Sequence, residues 1–221
     1  MTTCIACLHT AHSNVAVFDA AREALGGDLV LRHTVRPDLL AAVEEAGALT
    51  PVIEQRTADV LLGLREGADI VLLTCSTLGP VVDGLADDLR GQVLRVDAAL
   101  AREAVRDGGK VVVLVAVQTT LQPTRQLFEA AAKATGAEVE VRLVDGAWAA
   151  FRTGDDERYL ALIAAAADEA MERGASLVAL AQASMAGAAP RTKAGLKPLT
   201  SPAVGLRAAA NAAHPPIRIQ Q

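Results

Sequence analysis

A fifteen-residue stretch occurs twice in this chain, 107 positions apart, and no other feature limits the possible folds as tightly. Residues 65–79 and 172–186 align without a gap, placing Gly67 on Gly174, Val71 on Val178, Thr77 on Ser184 and Leu78 on Met185. Each copy reads as a helix end, a glycine stop, a short apolar run and then small polar residues. In an α/β sheet this is a buried strand whose carboxyl end opens into a polar loop, where such folds bind ligands. Cys75 heads the loop of the first copy and Gln182 that of the second. The halves share a frame and differ where chemistry is best placed.

Glycine, proline and apolar periodicity extend that frame over the 221 residues. The first half predicts a strand at Thr3–Leu8, the loop His9-Thr10-Ala11-His12, and a helix with Ser13 as N-cap that stops before Gly26-Gly27. A strand at Leu29–His33 and a helix over about Pro37–Glu45 follow. Thr50-Pro51 opens the next helix, in which Ile53, Thr57, Val60, Leu61 and Leu64 keep a period of 3.6. Strands at Ile70–Thr74 and Leu94–Val96 complete this half, and Asp97 caps a connecting helix. The second half repeats the order. Strands fall at Lys110–Val117, Glu138–Val144, Leu177–Leu180 and Pro198–Thr200, with helices over about Pro123–Thr135, from Asp155-Asp156 to Gly174, and over Ala203–Ala213. The Pro-containing tail from His214 is expected to be ordered only by contact.

Strands alternating with helices predict mainly parallel sheets with right-handed crossovers. The fold expected is α/β, with two pseudo-symmetric Rossmann-like halves, each a mainly four-stranded parallel sheet flanked by helices. Residues 1–97 plus 202–221 form the first half and 98–201 the second. Halves related by a pseudo-two-fold axis would turn Cys75 and Gln182 towards a shared cleft.

Composition narrows the partners. The net charge is −5 and no run of basic residues exists, so nucleic acid and anionic membrane are poor candidates. The longest apolar runs, Val111–Val117 and Leu160–Ala167, fall far short of the roughly 18–20 residues that span a bilayer. No basic stretch precedes the first apolar run, so no secretory signal is expected. Three cysteines make no disulfide framework, and a reduced, cytoplasmic setting is the default expectation.

Cys75 ends a strand just before Ser76-Thr77, where backbone N–H groups would favour a thiolate. A free cysteine is often an inert core residue, but this position favours chemistry. Cys4 and Cys7 form a C-x-x-C pair inside a strand, where residues three apart face opposite ways. No second pair completes a metal site, so they read as core cysteines. His9 and His12 flank a loop at the same strand ends as Cys75; they suit a His–Cys pair and a solvent-facing polar loop equally well. His33 with Arg36 is a weaker candidate, and His214 carries no role. Thr10, Ser13, Asn14, Ser76, Thr77, Thr119, Thr120 and Ser184 follow strands or open helices. Their hydroxyls and free N–H groups suit a substrate carboxylate. Trp148 and Phe151 either cover a pocket or pack. No G-x-G-x-x-G, P-loop, G-x-S-x-G or zinc spacing occurs, so no cofactor is expected.

Four segments in order resemble the aspartate/glutamate/hydantoin racemase superfamily: Leu8–Asn14, Thr74–Thr77, Thr119–Thr124 and Leu180–Met185. The last falls where hydantoin racemase relatives carry a Gly-Cys-Ala-Gly-Met-like motif. The resemblance implies cofactor-independent chemistry in which two cysteines face opposite sides of the substrate α-carbon, one removing a proton and the other returning it. It also implies pseudo-symmetric domains whose terminal helices cross over, and a dimer. Here Gln182 replaces the second cysteine, and glutamine is neither acid nor base near neutral pH.

The function expected is a racemase/isomerase-family enzyme acting at the α-carbon of a small carboxylate, an amino acid or hydantoin-like molecule. Cys75 would be its acid/base or nucleophile, and His9, Thr10, Ser13, Asn14, Ser76, Thr77, Thr119, Thr120, Gln182 and Ser184 would bind the substrate. The alternatives are a one-cysteine decarboxylase, a cis-trans isomerase of a small diacid, and a catalytically silent small-acid binding protein.

Overall fold

The computed structural model describes residues 2–86, 89 and 91–214. The chain divides into two compact units: one runs to Asp97 and resumes at Gly205, and the other is Ala98–Val204. The tail beyond His214 lies outside the described residues.

The first unit holds β1 (Thr3–His9), α1 (Ser13–Leu25), β2 (Leu29–Val35), α2 (Pro37–Ala46), α3 (Pro51–Gly63), β3 (Ile70–Leu73), α4 (Pro80–Asp83) and β4 (Val93–Arg95). After α5 (Val96–Val105), the second unit holds β5 (Lys110–Val115), α6 (Leu121–Ala132), β6 (Glu138–Leu143), α7 (Ala147–Arg152), α8 (Asp156–Glu172), β7 (Leu177–Leu180) and β8 (Leu199–Thr200), and α9 (Ser201–Ala213) closes the chain. The unit boundaries fall inside α5 and α9. Each sheet has four strands, all parallel, in the orders β2-β1-β3-β4 and β6-β5-β7-β8. The second sheet repeats the first strand for strand.

Residue choice explains the strand positions. β3 is Ile-Val-Leu-Leu and wholly buried, and β5 and β7 are almost as apolar, as inner strands covered on both faces require. The edge strands β2 and β6 instead carry Arg32, Glu138, Glu140 and Arg142. Such charges blunt the exposed edge against pairing with another chain. The glycines of the repeated stretch do one job in both copies. Gly67 (φ 69°) and Gly174 (φ 87°) turn the chain into β3 and β7 through a backbone region that side chains rarely enter.

Several boundaries differ from the sequence reading. The N-cap of α1 is His12, one residue earlier than Ser13, because the Ala11 and His12 carbonyls already accept from Asn14 and Val15. Asp97 does not cap α5; it is the second helical residue, and its carboxylate binds Arg95 instead. Leu121 rather than Pro123 begins α6, since the 3₁₀ turn Gln118–Thr120 feeds straight into it. Residues 183–191, read as a loop, wind into a 3₁₀ helix. Met185, Ala188 and Ala189 are its buried residues, a helical spacing that rules out a strand. Asp155 does cap α8, accepting from Arg158 N at 3.1 Å. His214 is tied in, with Nε2 hydrogen-bonded to Thr3 Oγ1 at 2.8 Å. Among the described residues no helix is long and apolar enough to cross a membrane.

Gly205 packs α9 onto the first unit's sheet. A Cβ there would run into Val96 Cγ2 and lie 3.5 Å from Leu72 Cδ2, both on fully or nearly fully buried residues. Gly205→Ala should therefore lower stability, because overpacking costs about 1–3 kcal/mol against a helix-propensity gain of about 1 kcal/mol. Urea unfolding of the variant, expected at a lower midpoint than wild type, checks this.

Candidate functional site

In the first unit the candidate residues leave the carboxyl ends of the neighbouring strands β1 and β3. Thr74 locks these ends together. Its N–H and its hydroxyl both donate to the Leu8 carbonyl, at 3.1 and 2.9 Å. That anchor holds the next residue, Cys75, in extended backbone (φ −99°, ψ 116°) at the head of the 3₁₀ turn Ser76–Leu78. Cys75, Ser76 and Thr77 are half-buried, while Leu78 is fully buried and pins the turn from below. Cys75 also packs against the apolar cluster that contains Leu73, Leu78 and Val81.

The far side of the turn is braced by Arg95. Its side chain, 10% exposed, binds Asp97 at 2.8 Å and also Asp83. Gly79 lies against the guanidinium, and a Cβ there would come within 2.6 Å of Arg95 Cζ. The chain holding Cys75 is thus held by buried hydrogen bonds of Thr74 before it and flanked by the Arg95 guanidinium after it, and the sequence did not announce the Arg95–Asp97 brace.

His9 is fully buried and turned into the unit. Its Nδ1 meets Thr74 Oγ1 at 2.8 Å, and its Nε2 meets His33 Nδ1 at 2.9 Å. His33 Nε2 in turn reaches Asp19 Oδ1 at 3.2 Å. Burial drives the His9 pKa down to about 4; His33 lowers it further and Asp19 opposes this. Cys7 is buried beside these residues, and burial pushes its thiol up to about 12, helped by Asp19 and Cys4. Thr10 is 8% exposed, Asn14 half-buried, and His12 and Ser13 exposed. His9 and His12, paired in the sequence reading, therefore sit in opposite environments.

In the second unit the matching loops leave β5 and β7. Thr119 is exposed, whereas Thr120 donates its hydroxyl to the Val117 carbonyl at 2.7 Å. Gln182 is half-buried, and its side-chain oxygen accepts from Ala116 N at 2.7 Å. By the repeat offset Gln182 stands where Cys75 stands, and Ala116 where His9 stands. The glutamine thus braces two neighbouring strand ends of its unit, as Thr74 does in the first. Ser184 Oγ pairs with Tyr159 Oη at 2.8 Å. Trp148 and Phe151 stack on each other at 5.3 Å, and Phe151 also contacts Tyr159. Phe151 packs at the edge of the second unit's core.

Among the described residues, Cys7, His9 and His33 bring metal-ligating atoms within 4.8 Å of one another. The C-x-x-C spacing gave no sign of this. Cys4 is not part of the group, and His33 arrives through strand register.

Residues 10–211 match the family model described as Asp/Glu/Hydantoin racemase. A comparison with curated proteins finds no match. Among solved structures, the chain is similar to an aspartate racemase from Picrophilus torridus, with TM-score 0.72 and 12% identity over 96% of this chain and 94% of that one. It is also similar to an aspartate racemase homologue from Pyrococcus horikoshii, with TM-score 0.64 and 15% identity over 96% and 99% of the two chains. At these identities the structural likeness establishes the shared fold.

Proposed function

Because this chain belongs to the Asp/Glu/hydantoin racemase family of racemase-type isomerases, we propose that it moves a proton at the α-carbon of a small carboxylate, with Cys75 as its acid/base. The supporting observation is the setting of Cys75. It stands half-buried at the carboxyl end of β3, on a segment held by Thr74 before it and flanked by Arg95 after it. A proton-transfer group needs this fixed geometry more than a packing residue does.

In this reading Thr10, Ser13, Ser76 and Thr77 offer hydroxyls, and Asn14 its side-chain amide, to the substrate carboxylate and to the enolate-like charge of the intermediate. His9 acts on Cys75 only through Thr74, as a positioning residue. Thr119, Thr120 and Ser184 stand at matching strand ends of the second unit, two of them with hydroxyls already bonded.

Gln182 shapes the reaction. A second acid or base at this position is what two-cysteine racemisation requires, and an amide committed to Ala116 N supplies none. The chemistry proposed is therefore one-sided: Cys75 takes the α-proton and returns a proton to the same face. Decarboxylation with protonation by Cys75 follows the same logic on a malonate-type substrate.

The test is a screen in D₂O of both enantiomers of aspartate, glutamate and related amino acids, together with substituted hydantoins and arylmalonates. Aspartate comes first because the similar solved structures carry that name. Deuterium at the α-carbon of one class supports an enzyme; tight binding without exchange or decarboxylation would make the protein a small-acid binder.

A further inference from the structure

We infer that Cys7, His9 and His33 form a site for one zinc-class divalent cation, bound through Cys7 Sγ, His9 Nε2 and His33 Nδ1. This inference is independent of the reaction proposed for Cys75.

Strand geometry brings the three side chains together. Cys7 and His9 are two residues apart on β1 and so share a face. The parallel register of β1 with β2 pairs Cys7 with His33, which places the second imidazole on the same face. Their ligating atoms lie within 4.8 Å of one another, so side-chain shifts of about 1 Å bring all three onto one ion.

Hydrogen-bond bookkeeping then orients both rings. Thr74 has a single hydroxyl hydrogen, donated to the Leu8 carbonyl at 2.9 Å. With that hydrogen on Leu8, the oxygen accepts from His9 Nδ1 at 2.8 Å, and in this tautomer, the one a metal would select, His9 Nε2 keeps its lone pair. The Asp19 carboxylate only accepts, so the hydrogen of His33 sits on Nε2, facing Oδ1 at 3.2 Å. The two remaining nitrogens, His9 Nε2 and His33 Nδ1, face each other at 2.9 Å. In the metal-free protein a proton shared between them makes an ordinary hydrogen bond, and a metal ion can take that proton's place. A metal ion satisfies both and draws in the thiolate of Cys7, whose proton leaves to solvent. Thr74 and Asp19 meanwhile hold the outer nitrogens, as the partners of metal-bound histidines commonly do.

The fit is close. Tetrahedral zinc with bonds of 2.0–2.1 Å to nitrogen places two ligand nitrogens about 3.3 Å apart, so the rings need to part by about 0.4 Å. Cys7 and His9 are fully buried, while the His33 side chain keeps 15% exposure and Asp19 47%. An ion therefore enters from the β2 edge, and a water there completes four-coordination. Bound, it would clasp β1 to β2 directly, and to β3 and α1 through Thr74 and Asp19. Thioether-free Cys/His₂ donors suit zinc or cobalt and disfavour magnesium and calcium.

Full-length protein, stripped with a chelator and dialysed, is titrated with Zn²⁺ by calorimetry and with Co²⁺ by absorption, and the holoprotein is weighed by native mass spectrometry. One zinc per chain, a tetrahedral cobalt spectrum with a thiolate charge-transfer band, and a melting temperature that rises with zinc are expected. Cys7→Ser should abolish the charge-transfer band. His33→Gln, at the half-buried edge and so less apt to disturb folding, should abolish stoichiometric zinc binding. Asp19→Asn should weaken zinc binding by about 10–100-fold. His12→Ala, His214→Ala and Cys75→Ala should leave it unchanged. Absence of binding by folded wild type would overturn the site. So would one-to-one binding that survives His33→Gln, or that disappears in Cys75→Ala.

Discussion

Replacing Cys75 with alanine is expected to slow α-proton exchange by about 10²–10⁴-fold, the usual worth of a positioned acid/base. The expectation rests on the segment around Cys75 being held by other residues. Thr74 fastens it to β1 through the Leu8 carbonyl, and Leu78 is buried beneath the turn. The thiol is half-buried, so its removal leaves at most a shallow defect rather than a sealed core cavity. The folded state should survive, with an unfolding midpoint close to wild type, and the loss should appear in turnover. Cys7→Ala makes the contrast, since that side chain is fully buried and its truncation should cost stability first. Exchange that persists undiminished in folded Cys75→Ala would return Cys75 to the status of a packing residue.

Gln182→Cys is expected to change two quantities in opposite directions. It places a thiol where the family resemblance implies the second acid/base, so inversion of the α-carbon should rise by about 10²–10⁴-fold. It also removes the oxygen that accepts from Ala116 N at 2.7 Å. A partly buried N–H left without its partner costs about 1–3 kcal/mol, so the same variant should unfold at lower urea. Gln182→Ala separates the effects: it should lose the stability without gaining inversion. Because a thiol is shorter than the glutamine side chain, the gain depends on how near the sulfur can come to the substrate. Equal inversion rates in Gln182→Cys and Gln182→Ala would show that position 182 has no part in proton transfer.

Much of the fold was legible because the chain states it twice. The strand order of the first sheet recurs in the second, and Gly67 and Gly174 make the same turn. What could not be read was whatever depends on non-periodic or long-range contacts. The 3₁₀ helix of residues 183–191 is built mainly from small residues, and the spacing of its buried Met185, Ala188 and Ala189 suits an α-helix equally well. Asp97 looked like a cap because capping is a local rule; Arg95, two residues earlier, claims it instead.

The candidate site divides in the same way. Cys75 at the end of a buried strand is a local pattern, and the structure places it there. His9 looked like a loop residue, yet it is the inner member of a chain that runs from Thr74 through His33 to Asp19. That chain depends on the β1–β2 register and on the packing of α1, neither of which sequence spacing encodes. The position of Gln182 at the head of a loop after a buried strand was legible from the repeat, while its role as a brace for Ala116 was not.

The most direct measurement follows one enantiomer of a responsive substrate in D₂O, recording deuterium uptake at the α-carbon by mass spectrometry or NMR and inversion by chiral chromatography. With Cys75 as the only acid/base, uptake should run well ahead of inversion, so that the starting enantiomer becomes labelled before its mirror image accumulates. Inversion as fast as uptake would mean that a second group works on the opposite face and that the one-sided mechanism is wrong.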